Sequence, residues 1–149
     1  MKLREAEIGD GAAILDLCQG IIDAEGIEAE IELTPTDVEK YLAMNMKDRP
    51  FRCLIADDDG VKGIALWQQL FSFEVGPVLY VESLAVDQNT RNTGVGSTLM
   101  DELKAICQRE KYSSIYLNVH KNNLSARSFY LKQGGEIDDG WDFVEITVR

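Results

Sequence analysis

A strand of the kind buried on both faces, a polar loop and an amphipathic helix follow one another from Leu79 to Lys111. No other stretch limits the fold as tightly. Leu79–Val86, LYVESLAV, is almost continuously apolar, as a strand is when layers cover both sides of its sheet. Glu82 stands in its middle and breaks the pattern. Asp87 to Thr93 is polar and turn-rich. From Gly94 onward Val95, Leu99, Leu103 and Ile106 recur at helical spacing, with Met100 and Cys107 beside them.

The loop carries the chemistry. Arg91-Asn92-Thr93-Gly94-Val95-Gly96-Ser97 opens a helix, whose first N–H groups have no partner within it and sit at the positive end of its dipole. A phosphate can take those hydrogen bonds. Gly94 and Gly96 lack a Cβ and let the backbone come close, and Arg91 adds a bidentate cationic donor. A Rossmann fingerprint is excluded, because Leu99 stands where the third glycine belongs and polar residues separate strand from loop. A Walker loop is excluded by the lack of Gly-Lys-Ser/Thr. The structural alternative is a helix start with two glycines kept for packing.

Arg-x-x-Gly-x-Gly after a strand ending Leu-Ala-Val-Asp resembles the acyl-CoA pyrophosphate loop of the GNAT superfamily of N-acyltransferases. Asn123–Tyr130, NLSARSFY, is similar to that family's Asn-x-x-Ala-x-x-x-Tyr helix, in the family's order and at roughly its spacing. The likeness covers the whole chain, strongly from Leu79 to Gly134. It departs at Gly135, where the family usually has an aromatic.

The chain's 149 residues suit one domain, 1–149, with a sizeable core. No apolar run reaches the ~20 residues that span a bilayer, and MKLREAEIGD lacks a signal peptide's apolar core. A cytoplasmic protein without membrane contact is expected. Cys18, Cys53 and Cys107 are widely spaced within apolar patterns and read as small core residues. The single His120 cannot build a His-rich metal site, and it reads as a strand-end or loop residue. A net charge of −11 argues against nucleic acid, which needs a basic face, and suits a cationic substrate or plain solubility.

In order, Met1–Ala6 reads as a strand, and Ala13 to Ile21 as a helix. Residues 23–33 form an acidic loop or broken helix. Thr34-Pro35 starts a helix running to about Met46. Phe51–Ala56, Lys62–Phe73 and Leu79–Val86 make an antiparallel meander. Tyr112–His120 follows by a helical crossover and should lie parallel to Leu79–Val86. Asn123 caps the last helix, Gly134 ends it, and Glu136–Asp138 with Asp142–Val148 should close the sheet as a hairpin. The expected fold is α/β (α+β): a mixed, mostly antiparallel seven-stranded GNAT-like sheet with helices on both faces. The resemblance adds that strands four and five splay apart, often beside a bulge in strand four.

The resemblance implies acetyl-CoA as co-substrate, its pyrophosphate on Arg91 to Ser97 and its pantetheine arm along Leu84, Ala85 and Val86. Asn123 is a further candidate for that arm or simply a helix cap. Acyl transfer to an amine needs a base, an oxyanion donor and an acid for the thiolate. Glu82, partly desolvated in its strand, is the candidate base, directly or through water. An N–H of Val86 or a neighbour could polarise the carbonyl, and Tyr130 is the candidate acid. The acceptor is expected to be a small cationic amine or a peptide amine, because Glu25, Glu28, Glu30 and Glu32 lie in the segment that borders the family's acceptor site. The resemblance also admits a homodimer. The alternative is an acyl-CoA-binding sensor or scaffold without chemistry.

Overall fold

The structure, a computed structural model, describes residues 1–149. Five strands and four helices follow in the order β1 Lys2–Glu5, α1 Gly11–Ala24, α2 Pro35–Leu42, β2 Arg52–Asp57, β3 Val61–Ser72, β4 Gly76–Val86, α3 Val95–Glu110, β5 Ile115–Leu117 and α4 Leu124–Lys132. The sheet keeps chain order, β1 to β5. All neighbours are antiparallel except β4 and β5, which the crossover through α3 makes parallel.

Helices cover both faces. On one, α3 buries Val95, Leu99, Met100, Leu103, Ile106 and Cys107 against Leu54, Ala65, Trp67, Leu79 and Val81. Burial contributes roughly 1.5–3 kcal/mol for each large side chain. On the other, Ile14 of α1 and Val38 and Leu42 of α2 pack on Cys53, Ile55, Ile64 and Ala85. The N-terminus of α3 comes so close to the sheet that a Cβ on Gly63 would lie 2.8 Å from Val95 Cγ1.

Helix ends are closed by side chains from near and far. Thr34 and Asp37 form a reciprocal capping box on α2, with Thr34 N donating to Asp37 Oδ2 at 2.8 Å and Asp37 N to Thr34 Oγ1 at 3.2 Å. The start of α1 is held instead by Glu39 of α2, which accepts from Gly9, just ahead of the helix, at 2.8 Å and from Gly11, its first residue, at 2.9 Å. Asp10 is then free to hold Arg4 by two bonds of 2.8 and 3.0 Å, which ties β1 to α1.

The sheet has five strands, not seven. The closing hairpin expected in Glu136–Val148 carries no ladder. Its alternating apolar residues are strand-like locally, yet Trp141, Phe143, Ile146 and Val148 stand exposed. A ladder needs an edge to pair with, and β5 offers only three residues rather than the nine expected from Tyr112 to His120. The segment bonds through side chains instead. Asp138 accepts from Gly140 N and Trp141 Nε1, both at 2.9 Å, and Arg149 forms an ion pair with Glu32. α2 also stops early, at Leu42, and Met46 begins a short 3-10 turn.

Candidate active site

The loop after β4 is held in an unusual backbone path. Asp87 accepts from Asn89 N at 2.9 Å, and Thr93 donates its hydroxyl to the Thr90 carbonyl. Asn92 and Gly94 then take left-handed φ angles of 64° and 89°. A side chain at Gly94 would be strained there. Gly94 is the N-cap of α3 and has no side chain to satisfy the helix. The first helical bond runs from Thr98 N to Gly94 O, at 3.0 Å. The N–H groups of Val95, Gly96 and Ser97 are therefore left for an anion. Arg91 is exposed and takes part in no ion pair. This donor set fits a pyrophosphate. Val95 offers only its N–H, since its side chain belongs to the core.

β4 changes face at Glu82. Val81 pairs with Trp67 of β3 and Ser83 with Leu66, so Glu82 is the extra residue of a β-bulge. Before it, Leu79 and Val81 face α3; after it, Leu84 and Val86 do. Ser83 turns to the α1 side, where Cys18 Sγ lies 3.6 Å from its hydroxyl. The charge of Glu82 pushes up the Cys18 thiol and the Tyr80 phenol, in both cases after burial as the main cause. Glu82 itself is exposed. The partly desolvated carboxylate expected from the apolar run is not found, because the bulge carries the side chain out of the strand's regular alternation.

The bulge also marks where the parallel pair ends. β4 and β5 pair over Leu79↔Ile115, Tyr80↔Tyr116 and Val81↔Leu117 and no further. From Glu82 to Val86 the backbone on the β5 side has no strand partner. An extended ligand could add there as a strand would. Ala85 is buried on the α1 side, and Leu84 and Val86 are half-buried against α3.

Tyr130 is packed against the α3-side core, with Phe129 at 5.3 Å between ring centroids. Its phenol is pushed up to about 12, first by burial and then by the Glu25 carboxylate. It therefore stays protonated at neutral pH. α4 is fixed at both ends. Asn123 Oδ1 accepts from Ala126 N at 3.1 Å as its cap, and Asn123 Nδ2 donates to Glu25 at 3.0 Å. At the other end Gly135 N donates to Tyr130 O and Gly134 N to Leu131 O, a Schellman turn with Gly134 at φ 93°. A Cβ on Gly135 would lie 2.9 Å from the Tyr130 carbonyl, which accounts for a glycine at that departure from the family pattern.

One open groove is lined by Glu25, Tyr80, Glu82, Arg91, Asn123 and Tyr130, among others. The acidic segment does not act as a block. Glu25 lines the groove, Glu28 and Glu30 line a separate shallow hollow, and Glu32 pairs with Arg149. Sequence reading had no signal for the Glu25–Asn123 contact, which joins residues 98 positions apart.

Known proteins share this fold. The model of the Acetyltransferase (GNAT) family matches residues 18–135. Spermidine/spermine N(1)-acetyltransferase-like protein 1 of Homo sapiens is 28% identical over 94% of the chain, and the chain spans 21% of that relative's length. A possible acetyltransferase from Clostridium difficile 630 superposes with a TM-score of 0.79 at 23% identity, covering 99% of this chain and 97% of the other. A predicted acetyltransferase of Clostridium acetobutylicum, solved with acetyl-CoA, gives 0.77 at 18% identity, with 97% and 95% covered. At these identities the two structures speak for the fold.

Proposed function

Because this chain belongs to the acetyltransferase (GNAT) family, whose acyl donor is acetyl-CoA, we propose that it acetylates the primary nitrogen of a small cationic amine or of a peptide. The observation that carries the reading is the bulge. It sets a carboxylate, Glu82, where β4 and β5 part, and a protonated phenol, Tyr130, lines the same groove from the α3-side core. A sensor without chemistry needs neither.

In this reading the pyrophosphate lies on the free N–H groups of Val95, Gly96 and Ser97, with Arg91 and the turn of Asn92, Thr93 and Gly94 around it. The pantetheine arm runs along Leu84, Ala85 and Val86, and the second amide hydrogen of Asn123 remains for it. Glu82 takes the amine's proton, directly or through water. A backbone N–H at or beside Val86 receives the developing oxyanion. Tyr130 meets the departing sulfur. A phenol near 12 is a weaker acid than a thiol of about 8.5, so full transfer is uphill by about 5 kcal/mol and Tyr130 serves as a hydrogen-bond donor. The acceptor's distal charge is assigned to Glu25, the one member of the acidic segment's four glutamates that lines the groove.

No helix is long and apolar enough to cross a membrane, and a cytoplasmic setting belongs to the reading. So does a homodimer, supported by the exposed apolar side chains of the C-terminal segment. The test of the reaction is Glu82→Gln. It should abolish the acid limb of the pH–rate profile and lower kcat by about 100-fold or more. An unaltered acid limb would remove Glu82 from the reaction.

A further inference from the structure

Tyr80 and Asn118 have no part in the reaction as drawn. Tyr80 lies two residues before Glu82 on β4, and the alternation of the strand turns it away from Leu79 and Val81, to the α1 side. Asn118 follows β5 directly. With Ile115 and Leu117 facing α3, it too lies on the α1 side. Across the seam its Nδ2 donates to the Tyr80 phenol oxygen at 2.9 Å. This is a side-chain link between the two strands at the point where their ladder ends.

That bond fixes the direction of the phenol. Its oxygen is engaged as an acceptor, so its own O–H must donate elsewhere, and no group of the protein receives it. Tyr80 is half-buried and Glu82 is near enough for its charge to act on the phenol, yet the two are not hydrogen-bonded. Both line the groove. A water fits this chemistry, with one lone pair for Tyr80 O–H, one for the acceptor's N–H, and a hydrogen for the Glu82 carboxylate.

Resting on the reading of Glu82 as base, we infer that Tyr80, fixed by Asn118, is a positioning residue that holds the water through which Glu82 takes the acceptor's proton. The ammonium N–H bond breaks and the nitrogen keeps its electron pair. The water takes that proton as it gives one of its own to Glu82, so water is restored and Glu82 becomes a carboxylic acid.

The test is a double-mutant cycle on the full chain, with acetyl-CoA and a diamine, followed by thiol release. Tyr80→Phe should lower kcat about tenfold, the worth of one hydrogen bond, and leave the amine KM and the acetyl-CoA Kd unchanged. In the Glu82→Gln background the same substitution should cost less than about twofold, because the water no longer leads to a base. Asn118→Asp is nearly isosteric and still closes the seam, but its carboxylate can only accept, so the phenol O–H donates to it and the bond is turned around. It should lower kcat as Tyr80→Phe does. A raised amine KM at unchanged kcat, an equal Tyr80→Phe penalty in both backgrounds, or full activity in Asn118→Asp would each make the pair a plain structural clasp and overturn the inference. The acetyltransferase reading would survive those results. It fails separately, if the unmodified protein releases no thiol with any amine.

Discussion

Tyr130→Phe removes one hydroxyl and nothing else of size. The ring stays against Phe129 and the α3 core, and none of the bonds that fix α4 runs through the phenol. The helix should therefore stay in place and acetyl-CoA affinity should hold. The effect on turnover depends on what the phenol does. With its ionisation pushed up to about 12, Tyr130 cannot easily yield its proton to a thiolate, and in the proposed reaction its contribution is a charge-assisted hydrogen bond. Such a bond is worth about 1.5–3 kcal/mol, or roughly 10- to 150-fold in kcat. The pH profile should also lack a basic limb from Tyr130 below about pH 10, because the group stays protonated throughout that range. Steady-state thiol release with titration calorimetry for acetyl-CoA measures both. A kcat within about threefold of the unmodified protein would refute the role. A basic limb near neutrality that disappears in Tyr130→Phe would refute the donor argument, since it would require a phenol tuned down, not up.

Three further outcomes follow. Gly96→Ala should fold normally, because the added Cβ meets Phe129 at 3.6 Å and Val86 at 3.7 Å, yet it should weaken acetyl-CoA binding by about tenfold or more by blocking close approach of phosphate; calorimetry beside a melting curve separates the two effects. Asp10→Asn should cost roughly 2–3 kcal/mol in urea unfolding near neutral pH, since it unmakes a bidentate pair with Arg4 in a buried position. The deficit should vanish in acid: Arg4 holds the Asp10 carboxyl below its usual range, so its stabilisation is present above that range and is lost as pH falls through the lowered value. A diamine should be preferred over a neutral amine of equal size at low salt, and Glu25→Gln should remove more of that preference than Glu28→Gln and Glu30→Gln together.

Much of this was legible in the sequence, and the rest was not for definite reasons. The α3 residues picked out by helical spacing, Val95 to Cys107, are all buried, because a 3.6-residue period is a local property that tertiary packing only has to accept. The strand order and the parallel β4–β5 pair followed from connection length and handedness. Asp142–Val148 misled because alternation reports how a segment could pair, whereas pairing needs an edge, and β5 is only three residues long. Glu82 was legible as an oddity but not as exposed, since a bulge shifts the phase of the strand and so puts Val81 and Leu84 on one face. Glu39 capping α1 and Glu25 meeting Asn123 are side-chain contacts between distant positions, on which local spacing is silent.

The most direct measurement of the central claim is free thiol released from acetyl-CoA in the presence of a panel of amines, with the acetylated product counted by mass spectrometry. The account predicts amine-dependent release, one thiol for each acetylated nitrogen, with diamines ahead of neutral amines. Tight acetyl-CoA binding without amine-dependent thiol release would contradict it and make this groove a binding site alone.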